Sequence, residues 1–318
     1  MKKRFCILTV LIGLIAGSLF WMISRGAGPL YHGRSLSYWS TELQLGDQQQ
    51  QAEAQLALRS MGEKAVPYLI DTLDRPASPL RNTMDKLLSI DRNIERAQAA
   101  RALGEIGAAA SNAIPALVRA SHQTKEVFGF PATAALMKIK GESIGPLVVA
   151  LDDTNAKDWA GNSAILGEFG TNAQAAVPAL VRALNSTNSS VRTHAIITLH
   201  KIHSNPQMAV PALMNSLDQN QPHNPALNRI QVSLLIGTLG AFEGEAKAAV
   251  PVLQQYLGNS NPNIRYPLFA SLRRILSTNE MKALLTRNLS NADPNVRSAA
   301  ESMLKQLDPK AAAQLGAK

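Results

Sequence analysis

The sequence predicts an all-α solenoid of about seven helix pairs, carried behind an apolar amino-terminal segment. Three observations predict it. A nine-residue pattern close to A-V-P-A-L-x-x-x-L recurs at 65–73, 113–121, 143–151, 176–184, 209–217, 249–257 and 281–289. Each copy follows another short apolar stretch: 54–62, 100–107, 134–141, 163–170, 196–203, 234–240 and 271–277. The 46% hydrophobic content is mostly Ala, Leu, Ile and Val, aromatics are 5%, and no alternating strand run appears. A period of about 30–40 residues marks stacked helix pairs, because one pair cannot bury its apolar face without a neighbour.

The segment Arg96–Ser121 shows how one unit is built. Ala99, Ala102, Leu103 and Ile106 recur at i, i+3, i+4, i+7, and Ile114, Leu117, Val118 and Ser121 repeat that spacing after a Gly/Ala/Ser/Asn break. Gly107 suits a left-handed helix end. Pro115 falls in the opening turn of the second helix, where N–H groups have no partner to lose.

Between copies the spacings are 48, 30, 33, 33, 40 and 32 residues. The longest admits SPLRNTMDKLLSI (78–90), where Ser78 can cap, Pro79 can open, and Leu80, Met84, Leu87 and Leu88 make a helical stripe, so an extra helix is expected there. The spacing of 40 admits DQNQPHNP (218–225), a polar, proline-broken loop. An eighth first helix, 294–307, lacks a full partner and is expected to cap the stack within a carboxyl-terminal region 294–318. The solenoid itself is expected over 48–293.

The amino terminus has a different composition. MKKR is followed by an uncharged run, Phe5 to Ile23, whose nineteen helical residues would span roughly 28 Å. That approaches the hydrocarbon thickness of a bilayer, so 1–24 is expected to be a signal anchor. The basic residues ahead of it place the rest of the chain on the non-cytoplasmic side. A cleaved signal peptide, leaving a secreted form, is the alternative, although its apolar core would normally be shorter. Residues 25–47 then supply a tether (Arg25–His32) and a capping helix. Its face is Leu36, Trp39, Leu43 and Leu45, with Ser35 or Ser37 as N-cap. Tyr38 and Trp39 could instead form a ligand platform or an interfacial belt.

The loops NSSVR (188–192), NPNIR (261–265) and DPNVR (293–297), feeding L-G-x-x-G-like and A-V/I-P-A-L segments, resemble the HEAT-repeat family in its short bacterial, phycobilin-lyase-like form. The resemblance covers roughly 48–307 and implies a right-handed stack. The lead-in YHGRSLSYWSTEL, behind an apolar segment, also resembles membrane-tethered members. Counting seven residues back from Leu103, Leu199, Ile236, Leu272 and Leu304 gives Arg96, Arg192, Arg229, Arg265 and Arg297. In the family such arginines link neighbouring repeats by hydrogen bonds; a phosphate-binding row is the competing reading. Gly129 and Trp159 interrupt the series, with Trp159 expected as a packing substitute.

Charge and motifs exclude several functions. The net charge is +9, but Lys2, Lys3, Arg4 and Arg25 precede any acid, and without them 28 basic residues face 23 acidic ones. No nucleic acid is therefore expected. Cys6 is the single cysteine, so no intrachain disulfide and no cysteine metal cluster can form. Phosphate-loop, dinucleotide, nucleophile-elbow and H-E-x-x-H motifs are absent. His200 and His203, at i, i+3, are the nearest approach to a metal pair, and no sequence neighbour completes the set. There is no His-Glu dipeptide, which the deoxyhypusine hydroxylase type uses to hold iron. No cofactor and no catalytic residue are expected, and the chain is read as a non-catalytic interaction scaffold. A tetrapyrrole- or phycobilin-lyase-like enzyme or accessory is the alternative.

The expected partner surface is the concave face, which second helices conventionally line. The residue two before each closing position is Asp71, Arg119, Val149, Arg182, Asn215, Gln255 and Arg287. This mildly basic stripe suits an acidic or polar segment of another protein; a plain solvated face is the other reading.

Overall fold

The computed structural model describes residues 28–74, 91–123, 129–218 and 227–308, with the side chains of His122 and Gln123 excepted. The expected anchor at 5–23, the extra helix at 78–90, the loop 218–225 beyond Asp218, and the tail from 309 lie outside the described residues. No described helix is long and apolar enough to cross a membrane.

The described residues are all-α apart from one small hairpin, and their helices form pairs, as a solenoid requires. They fall into two compact units, Met1–Ser143 and Ile144–Lys318, each with a hydrophobic core of its own. In the first unit β1 (Leu30–Tyr31) and β2 (Arg34–Ser35) pair antiparallel. The expected tether to His32 is thus corrected: His32 and Gly33 both take positive φ, +48° and +75°, which closes a two-residue hairpin. Then come α1 (Leu36–Leu45), α2 (Gln48–Met61), α3 (Val66–Asp74), α4 (Arg92–Ile106), α5 (Ile114–Gln123) and α6 (Gly129–Lys140). Ser35 caps α1, and Leu36 and Trp39 are buried, but Leu45 is 72% exposed and drops from the expected face.

The second unit contains α7 (Gly145–Ala150), α8 (Trp159–Gly167), α9 (Val177–Ala183), α10 (Ser189–Ile202), α11 (Pro206–Leu217) and α12 (Arg229–Ala241). It ends with α13 (Val250–Gln254), α14 (Pro262–Ile275), α15 (Thr278–Asn288) and α16 (Pro294–Leu307). The Asn and Asp residues ahead of α10, α14 and α16 act as N-caps: Ser190 N, Asn263 N and Asn295 N donate to the side chains of Asn188, Asn261 and Asp293 at 2.9, 3.0 and 2.8 Å. Such a cap contributes about 1 kcal/mol. On α16, Ala299, Ala300, Met303 and Leu304 face the core, while Ser298, Glu301, Ser302 and Lys305 face solvent. That one-sided burial suits a capping helix.

The turn inside a pair is a built part. In three pairs a seven-residue 3-10 segment links the helices: Gly107–Ala113, Gly170–Ala176 and Glu243–Ala249. Each sinks two alanines completely: Ala110 and Ala113, Ala173 and Ala176, Ala246 and Ala249, all at 0% exposure. Each also opens at positive φ, +70° at Gly107, +55° at Gly170 and +50° at Glu243. A glutamate there carries the Cβ strain that glycine avoids. Glu243→Gly is therefore expected to raise stability by about 0.5–1 kcal/mol, after glycine's own entropy cost is subtracted. A urea midpoint that stays or falls would count against it. In α11 the linker is replaced by an earlier start at Pro206, so Pro211 stands inside the helix and not in its opening turn.

First helices pack closely through small residues. A Cβ added at Gly104 would meet Ala135 Cα at 3.1 Å, and one at Gly240 would meet Ser271 Cα at 2.9 Å. Hydroxyls span the same contacts. Thr198 Oγ1 donates to Ser163 O at 3.2 Å, and Ser271 Oγ to Ile236 O at 2.9 Å.

Candidate interaction surface

The stripe expected on second helices is exposed in both units but is not basic in the way the sequence implied. In the first unit Arg119 Nη2 meets Asp74 Oδ2 at 2.6 Å. In the second, Arg182 pairs with Asp152, and Gln255 Nε2 donates to Asp218 Oδ1 at 3.1 Å. Each acid directly follows a closing leucine: Leu73, Leu151 or Leu217. The missed signal was that Leu-Asp dipeptide, which places a carboxylate opposite the stripe residue of the next second helix. The arginine charges are thus largely matched. Arg119 and Asp74 remain 55% and 38% exposed, and Arg182 and Asp152 are each 63% exposed. Exposed pairs of this kind contribute only about 0–1 kcal/mol, so an incoming charged group can exchange with either member at little cost.

Arg287 differs. The position after the preceding closing leucine, Leu257, is Gly258, and exposed Arg287 makes no ion pair among the described residues. Asp71 and Asn215 are exposed on their helices, and Val149 is 69% exposed.

The loop arginines point elsewhere. Arg192 is 5% exposed, and its Nη1 donates to Ser186 O and Thr187 O at 2.7 and 3.0 Å. Arg297 repeats that geometry on Asn291 O and Ala292 O at 2.7 and 2.8 Å. Arg96 Nε donates to Leu73 O at 2.9 Å. These groups tie the end of one pair to the start of the next, and guanidinium donors already committed to carbonyls are poor phosphate ligands. Trp159, 1% exposed, makes the same kind of tie through its indole, Nε1 to Leu151 O at 3.0 Å. Arg265 lies over the Tyr266 ring at 5.9 Å.

Arg229 is corrected. It is exposed at the start of α12, one turn too early, because Leu239 and not Ile236 matches Leu199 in the stack. The matching position is Val232, and the tie to α10 is made by buried Gln231, whose Nε2 donates to Ser189 O at 3.0 Å and Thr193 Oγ1 at 3.1 Å. Gly129, at the other break in the series, is buried at the start of α6.

A second set of cross-repeat ties went unseen in the sequence. Lys138 Nζ meets Glu105 Oε1 at 2.8 Å, Lys201 Nζ meets Glu168 Oε1 at 2.7 Å, and Lys247 Nζ meets Glu280 Oε1 at 2.8 Å. All three pairs are separated by 33 residues, and that shared separation was the available signal. Hydrogen bonds from Lys247 and then Ser277 hold the Glu280 carboxyl down at about 2.

His200 and His203 do not complete a metal site: no group of three potential ligands occurs among the described residues. His203 occupies the left-handed end of α10 at φ +29°, where four other first-helix ends place glycine. His200 keeps an exposed edge, yet crowding by neighbouring atoms, and then the charges of His203, Arg274 and Lys201, lower its pKa.

Comparison with known proteins places these features. Residues 95–123 match the model of the PBS lyase HEAT-like repeat. No curated protein matches the chain. Among solved structures, human deoxyhypusine hydroxylase in complex with glycerol is similar over 75% of this chain and 83% of that one, at 18% identity and a TM-score of 0.38. The expectation that the chain is not an enzyme is corrected on this finding, since the matched structure is itself a hydroxylase. Paired-helix architecture is no ground for excluding catalysis. A likeness at that identity and score transfers no activity and no residue role.

Proposed function

We propose that this chain of HEAT-like repeats is an interaction scaffold held at a membrane by residues 5–23, its repeats on the non-cytoplasmic side. Its second-helix stripes take up a segment of another protein rich in acidic and polar side chains. The observation that supports this is the recurrence, in both units, of exposed charged or amide side chains at one fixed position of the second helix. The partners of Arg119 and Arg182 are exposed carboxylates that a ligand can replace, and Arg287 makes no ion pair among the described residues.

The test is crosslinking with mass spectrometry on native membranes, comparing the wild type with Arg119→Glu, Arg182→Glu, Arg287→Glu combined. Recovery of the specific partner is expected to fall about tenfold, equivalent to about 1.4 kcal/mol of binding. An unchanged partner list removes the stripe from the interaction. Retention in the membrane after an alkaline wash tests the anchor separately, and release there points to the cleaved form. The repeat description matched at 95–123 keeps a tetrapyrrole-lyase-like role as a second reading. A visible absorption band in the purified protein would favour it.

A further inference from the structure

We propose that the β1–β2 hairpin and the start of α1 rest on the phospholipid headgroups of the membrane that holds the anchor. This rests on the anchor reading and deepens it. The hairpin side chains form one stacked group. Tyr31 and His32 rings stack at 4.2 Å, Tyr31 and Tyr38 each meet Trp39 edge-on at 5.9 and 5.1 Å, and Arg34 lies 4.5 Å over Tyr38 and 5.6 Å over Trp39. Trp39 is buried and fixed by its Nε1 donating to Tyr31 O at 3.2 Å, so it supports the group from beneath. The outer members are Leu30, 64% exposed, with exposed His32 and Arg34.

Three facts select a lipid surface. The first is reach. Only residues 24–29 separate the apolar run from Leu30, and six residues extend at most about 20 Å. Leu30 on that leash stays within about 20 Å of the hydrocarbon boundary. The second is charge. No Asp or Glu occurs before Glu42, while Arg25 and Arg34 lie just beyond the run, so the segment from the run to the start of α1 brings cations and no carboxylate of its own to the phosphates. The third is chemistry. Amphipathic rings beside one exposed aliphatic side chain match the groups that settle at a membrane–water interface.

The experiment uses the full chain in vesicles of phosphatidylethanolamine and phosphatidylglycerol. With Cys6→Ser as background, an environment-sensitive dye is attached at Leu30→Cys or, for comparison, at Tyr266→Cys, an exposed residue of the second unit. A headgroup-borne spin label is expected to quench the Leu30 dye about threefold more strongly than the Tyr266 dye, with His32→Glu, Arg34→Glu combined abolishing the difference. Equal quenching at both sites, with the protein retained after alkaline wash, overturns this proposal and leaves the anchor standing. A Leu30 dye shielded from water yet unquenched overturns it too, because protein and not lipid then covers the hairpin. Release by the wash overturns both.

Discussion

Gly240→Ala is expected to destabilise the second unit by about 1–3 kcal/mol. The new Cβ would overlap Ser271 Oγ and lie 2.7 Å from its Cβ and 2.9 Å from its Cα. A rotamer change could clear the hydroxyl, but the Cα belongs to the backbone of α14, so the helix itself must move. Gly237, three residues earlier in α12, supplies the control. Nothing lies within 4 Å of a Cβ built there, and Gly237→Ala should stabilise by about 0.5–1 kcal/mol through helix propensity alone. Ser271→Gly in the Gly240→Ala chain should recover part of the loss, which makes the pair non-additive. Urea unfolding followed by Trp159 fluorescence, in a Trp21→Phe, Trp39→Phe background, reads this unit. Equal midpoints for the two glycine variants would refute the close approach.

Arg192→Ala should cost about 2–3 kcal/mol, while Arg297→Ala costs less than about 1 kcal/mol. Both arginines use Nη1 to hold the carbonyls six and five residues back, so bond count and geometry match. The difference is burial: Arg192 is 5% exposed, and Arg297 is open to water on a terminal helix. In the Arg192 variant a buried guanidinium and its packing are lost together with two charge-assisted bonds; in the Arg297 variant water replaces the guanidinium. Denaturant midpoints check this directly, and losses of equal size would show that burial does not set the value of the tie.

Much of this fold was legible because each repeat states the same pattern. Helix pairing followed from apolar spacing, and the starts of α10, α14 and α16 followed from Asn188, Asn261 and Asp293. Register across the stack was harder. Apolar residues recur at three and four along every helix, so Ile236 and Leu239 look equally good as the aligned position, and choosing Ile236 moved the expected arginine to Arg229. The side-chain ties between repeats, Glu105 to Lys138 or Asp152 to Arg182, depend on the stacking offset, which no single helix specifies. The two-residue hairpin was missed for a different reason. Tyr31-His32-Gly33-Arg34 is too short to show alternation, and His32 is an unusual residue for a left-handed turn.

The fully sunken alanines of the 3-10 linkers bear on how such a chain can change. A residue inserted between Gly107 and Ala113, or in the equivalent segments, displaces methyl groups that have no spare room. The connection from one pair to the next carries no such requirement. The extra residues behind the spacings of 48 and 40 fall in those connections, around 75–90 and 218–225. In the pairs that carry the seven-residue linker, added length is thereby channelled to the loops between pairs. New recognition segments, natural or grafted, can be acquired there while the stacking code of the helices stays the same.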